Sequence, residues 1–76
     1  MGLSDKEALR VNIEGQALEK AGRIEDAVAM YEWAVAKGTD TPFTYTRLRI
    51  LYRRLKRADD VERIKRLMME QWGHWW

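Results

Sequence analysis

His74 is the single imidazole in this chain of 76 residues, which contains no cysteine. Metal binding or acid–base chemistry built on His and thiolate ligands needs clustered donors, and one imidazole supplies no cluster. Carboxylates do occur in adjacent pairs, Glu25-Asp26 and Asp59-Asp60. Each pair stands where a helix is expected to begin, and the positive end of a helix dipole accounts for acidic residues there. The sequence has no glycine-rich phosphate loop, no metal-ligand spacing and no Ser/His pair. Catalysis needs a nucleophile or acid/base group held in a water-poor pocket. The expectation is a protein that is not an enzyme and that uses no cofactor and no metal.

The cations form a denser constellation. Arg47, Arg49, Arg53, Arg54, Lys56, Arg57, Arg63, Lys65 and Arg66 fall within residues 47–66, against Asp59, Asp60 and Glu62. Net charge is only +2, yet residues 1–40 sum to −3 and residues 41–76 to +5. Clustered arginine can neutralise nucleic-acid phosphates. Here the arginines ring the polar face of one expected helix, with no recognition motif beside them. Three readings stay open: a solvated basic face, an acidic protein partner, and a nucleic-acid contact. The acidic first half of one copy could also pair with the basic second half of another.

The third constellation is aromatic. Four tryptophans, Trp33, Trp72, Trp75 and Trp76, are many for so short a chain. Aromatic side chains are costly to leave in water and serve as interface anchors. Trp33 lies about 180° from the apolar stripe of its helix, at 100° per residue. Either Trp72, Trp75 and Trp76 fold back and cap the open end of the molecule, or Trp72 and Trp75, with Leu67 and Met69, form a face that joins a second copy or a partner. A disordered tail is the remaining reading for the last residues.

The elements that position these residues are helices, because apolar residues recur at helical spacing and no Val/Ile/Thr-rich run alternates with period two. Ser4-Asp5-Lys6-Glu7 is a capping box that opens a first helix running to about Lys20. Gly22 suits a left-handed C-cap. A second helix over about 24–37 carries the stripe Ile24, Ala27, Val28, Tyr31, Ala34 and Val35, and Gly38 ends it. Thr41 and Pro42 form an N-cap and N1 pair for a third helix over about 42–56. Its stripe is Leu48, Leu51, Tyr52 and Leu55. Lys56-Arg57-Ala58 turns the chain without a glycine. A fourth helix starts near Asp59 and carries Val61, Ile64, Met68 and Trp72. Connections this short make neighbouring helices antiparallel. The fold is read as all-α, with four helices in two stacked antiparallel hairpins forming one domain.

A domain this small buries only about 60% of the surface its unfolded chain exposes. Without disulfides or a metal, self-association is the stabilising device left, and a homodimer is expected. No apolar run approaches the ~18 residues of a membrane span. The start, MGLSDKEALR, lacks a basic segment followed by an apolar one, and Lys6 stands where a myristoylation signal needs Ser or Thr. A cytoplasmic location with no membrane contact is the expectation.

A shift of 34 residues superposes the hairpins without a gap: Ala17 on Leu51, Leu18 on Tyr52, Ala27 on Val61, Ala34 on Met68, and Glu25-Asp26 on Asp59-Asp60. With Gly15-Gln16-Ala17-Leu18, the turn Gly22-Arg23-Ile24-Glu25-Asp26-Ala27, and Tyr31 and Ala34, the first unit resembles a tetratricopeptide repeat. The second, through Tyr52–Val61, resembles a divergent copy, with Lys56 at the turn glycine and Lys65 at the second-helix aromatic. Repeat 1 spans about 8–41, repeat 2 about 42–72, and a Trp-rich tail 73–76. The resemblance implies an α-solenoid fragment acting as an adaptor, whose first helices line a groove for a peptide or helix of a partner protein. It places that groove on Leu9, Asn12, Gln16, Glu19 and Lys20, and on Phe43, Thr46, Ile50, Arg53 and Arg54. Ile50 fits independently, lying about 160° around its helix from the apolar stripe. Asn12, Gln16 and Arg47 only partly resemble the family's carboxylate clamp.

Overall fold

The computed structural model describes residues 3–74. Four helices follow one another: α1 (Asp5–Lys20), α2 (Ile24–Ala36), α3 (Pro42–Arg54) and α4 (Ala58–Trp72). Among the described residues there is no strand. The fold is all-α. α1 packs on α2 and α3 on α4, and the two hairpins join chiefly where α2 meets α3. The result is a slab, 32 × 30 × 17 Å between Cα atoms.

The capping box at the start of α1 is formed. The Glu7 amide donates to the Ser4 hydroxyl at 3.2 Å, and the Ser4 amide donates to the Glu7 carboxylate at 3.3 Å. Two of the amides that a helix start leaves unpaired are thereby satisfied.

The turns inside the two hairpins are the same turn. Gly22 has φ +79° and Lys56 has φ +58°. The Arg23 amide donates to the Leu18 carbonyl and the Arg57 amide to the Tyr52 carbonyl, each at 2.9 Å. Arg23 then pairs with Asp26 at 2.6 Å, and Arg57 with Asp60 at 2.8 Å. Every one of these partners is matched by a 34-residue shift.

The loop between the hairpins departs from one expectation. Thr41 stands at the N-cap of α3 with Pro42 at the first helical position, but its hydroxyl caps no amide of the helix. Thr39 organises the loop instead. Its hydroxyl accepts from the Thr41 amide at 3.3 Å, and its carbonyl accepts from the Tyr45 hydroxyl at 2.6 Å. Thr39 is buried, so its polar groups need partners inside the protein, and Tyr45 supplies one.

The core is a strip of Ala27, Val28, Tyr31, Ala34, Tyr45, Leu48, Leu51, Tyr52, Ile64 and Met68 running across all three packed helix pairs. Three tyrosines bury their rings, and each hydroxyl finds an acceptor: Glu19 for Tyr31, the Thr39 carbonyl for Tyr45, and Glu32 for Tyr52. Gly15 lies against Tyr31. A Cβ there would fall inside the van der Waals envelope of the ring, 2.7 Å from its hydroxyl oxygen. This is the close helix approach that the small residue permits.

Candidate functional site

α1 and α3 belong to successive hairpins, and their side chains meet across the seam. Two side-chain ties join them. The Thr44 hydroxyl donates to the Asn12 side-chain oxygen at 2.7 Å, with both residues buried. Arg47 forms a two-pronged ion pair with Glu19, its Nε lying 3.2 Å from the carboxylate. Planar guanidinium and carboxylate groups match in this way, which fixes geometry as well as charge.

Glu19 is the hub of that arrangement. Burial pushes its carboxyl up. Hydrogen bonds from Arg47 and Tyr31, with the charges of Arg47 and Arg54, outweigh burial and hold it below the ordinary carboxylate value. The same contacts act on the partners. Burial and the Glu19 carboxylate push the Tyr31 hydroxyl well up, and the bond to Glu19 raises Arg47.

A second network fastens the opposite edge of the seam. Glu32 of α2 accepts from Tyr52 of α3 and pairs with Arg63 of α4, which also holds Asp60 at 3.1 Å. Arg57 and Arg63 stand over the Tyr52 ring, 4.7 and 6.0 Å from its centroid. These contacts span 20 and 31 residues. No local spacing announces them.

The ten residues assigned to the groove divide by environment. Gln16, Glu19, Lys20 and Phe43 come together, with Arg47, around a depression of about 230 Å³. Ile50, Arg53 and Arg54 line another of about 300 Å³. Leu9 is exposed, 61% open to solvent. Asn12 and Glu19 are turned to neighbours within the molecule, Asn12 to Thr44 and Glu19 to Arg47 and Tyr31. Thr46 is half-buried. Ile13, one turn beyond Leu9 and 57% exposed, adds an apolar side chain that the sequence assignment left out. Its spacing from Leu9 could have shown it.

No family model, curated protein or solved structure matches this chain.

The residues assigned to self-association or capping occupy two separate places. Trp33 is exposed and lies in a depression with Glu7, Arg10, Val11, Glu14 and Met30. Lys37 stands 5.8 Å from its ring centroid. Trp72 is half-buried and packs edge-on against Tyr45, with ring centroids 5.3 Å apart. Leu67 is half-buried against the core and Met69 is exposed. Trp75 and Trp76 lie outside the described residues.

Among the described residues no group of three His, Asp or Glu side chains is placed to hold a metal ion. No described helix is long and apolar enough to cross a membrane. His74 is exposed just beyond the end of α4, where Gly73 takes a left-handed cap at φ +74°.

Proposed function

We propose that this chain is a tetratricopeptide-type adaptor, without catalytic activity, whose α1/α3 face receives a peptide or helix from a partner protein. The observation that supports this most is the makeup of that face. Leu9, Ile13 and Phe43 stand exposed on it, beside Lys20, Arg53 and Arg54. Apolar anchors within a charged rim are how protein-binding patches are composed. The matched turns of the two hairpins support the repeat reading, because they give α1 and α3 equivalent roles.

The proposal includes self-association through Trp33 and Met69, which among the described residues are the exposed large apolar groups away from the α1/α3 face. A nucleic-acid contact through the basic second hairpin is the competing reading. Native mass measurement and a gel shift with DNA and RNA separate the two. Capture from cell extract, run in parallel with a Leu9→Asp/Ile50→Asp variant, tests the face itself. The expected result is a protein retained by the natural chain and lost by the variant, with nucleic acid unshifted. Retention of the same proteins by both chains would remove the α1/α3 face from consideration.

A further inference from the structure

In the first hairpin the Tyr31 ring fills the crossing of α1 and α2, packed on Gly15 and bonded to Glu19. The positions 34 residues further on are Arg49, Arg53 and Lys65. Gly15 becomes Arg49, Glu19 becomes Arg53, and Tyr31 becomes Lys65. A small residue, an acid and an aromatic are each replaced by a cation.

At that place α3 and α4 leave a depression of about 580 Å³. Arg49, Arg53, Lys56, Arg57 and Lys65 line it, against the single carboxylate of Glu62, and the exposed Ala58 with the buried Val61 forms its apolar floor. Arg53 and Lys56 are exposed there. Burial, with the neighbouring charge of Arg53, disfavours the charged form of Arg49. A seated anion would reverse that effect.

The first hairpin shows what kind of body such a surface receives. Its matching face carries a helix: α3 lies across it, and Arg47 of α3 reaches down to Glu19. On the second hairpin the same face looks outward and its charge is inverted. We propose that this end face takes an acidic amphipathic helix from another protein, seated as α3 is seated on the first hairpin, with carboxylates meeting Arg49, Arg53, Lys56 and Lys65.

The surroundings favour such a helix over a phosphate backbone. Asp60 already holds Arg57 at 2.8 Å, and Glu62 holds Lys65 at 3.3 Å. Asp59 stands exposed beside them. A nucleic-acid strand, charged at every unit, would meet these acids as well as the cations. A helix can face them with neutral residues and rest an apolar side chain over the exposed Ala58 and the edge of Val61. This face shares only Arg53 with the α1/α3 groove, and the variants that test the two faces leave Arg53 in place, so either proposal can fail without the other.

The test is a titration of the isotope-labelled full chain followed by amide NMR shifts. The probe is a synthetic amphipathic peptide of about 18 residues, long enough to be helical, with Leu on one face and Glu flanking it. A Gln-for-Glu version and a single-stranded oligonucleotide are run beside it. The Glu peptide is expected to move amides of residues 49–65. Its binding should weaken about tenfold in the Lys56→Glu/Lys65→Glu variant, the scale of two charge pairs reversed at low salt. Circular dichroism of that variant, expected unchanged, shows that the fold is kept. Should the variant lose its helicity, the Gln peptide carries the decision on the natural chain, where it should bind at least about tenfold more weakly. Equal binding of the two peptides, shifts confined to the α1/α3 face, no shifts at all, or a stronger response at residues 49–65 to the oligonucleotide would each overturn the proposal.

Discussion

Lys56 holds the left-handed backbone that Gly22 holds 34 residues earlier, with φ +58° against +79°. The two turns carry the same hydrogen bonds, so the fold imposes the conformation at both places and only one has the residue suited to it. A side chain in the left-handed region costs about 1 kcal/mol or more, part of which glycine gives back through the freedom of its unfolded chain. Lys56→Gly is therefore expected to stabilise the protein by about 0.5 kcal/mol. Gly22→Lys is expected to destabilise it by about 1 kcal/mol. Urea midpoints of both variants check the pair, and equal, near-zero shifts would contradict it.

Gly15→Ala should destabilise in spite of alanine's better helix propensity. The new methyl would collide with the fully buried ring of Tyr31, which has no free side on which to retreat. Overpacking of this kind costs about 1–3 kcal/mol, against a propensity gain of about 1 kcal/mol. Thermal melts provide the check, since about 1 kcal/mol moves the midpoint of a domain this size by roughly 4–8 °C.

The pair of Asn12 and Thr44 lends itself to a double-mutant cycle. Their 2.7 Å hydrogen bond is buried. Asn12→Ala or Thr44→Val alone strands one polar group, at about 1–3 kcal/mol. The double substitution strands none, so it is expected to cost less than the two singles added together. Strict additivity in denaturant titrations would mean that the two side chains do not stabilise one another.

Stability should fall at both ends of the pH scale, through different groups. Glu19 is held below its ordinary value of 4.5, so the unfolded chain binds that proton more readily. Its contribution is whole above about pH 4.5 and is lost as pH falls through the lower, folded value. Tyr31 and Tyr52 are shifted the other way, up from 10.0, by burial and by the carboxylates they bond. The unfolded chain releases those protons first, so stability holds below about pH 10 and declines above it. In Glu19→Gln the acid decline should be shallower. A variant with an unchanged acid limb would show that other carboxylates set it.

The helices and their buried stripes were legible because each is written locally. Val28, Tyr31 and Ala34, or Ile64 and Met68, repeat every three or four residues, and Ser4 to Glu7 encloses its cap within one turn. The 34-residue register was legible because turn residues recur. What escaped was the seam between hairpins. Tyr45 sits one turn before the stripe that begins at Leu48, and its role comes from a loop carbonyl at Thr39 and from Gln71, which donates to it at 2.7 Å. Glu32, Tyr52 and Arg63 meet only once three helices are assembled. Asn12 and Glu19 read as surface groups because helical spacing gives the direction of a side chain and not which neighbour stands there.

The seam is bound by charge along both margins, Glu19 with Arg47 on one side and Glu32 with Arg63 on the other, with oily contacts running between. Dissolved ions can reach the margins without entering the middle. A rising electrolyte concentration should therefore loosen the Glu32–Arg63 border, whose side chains are 27% and 40% open to solvent, more than the Glu19–Arg47 border, at 10% and 29%.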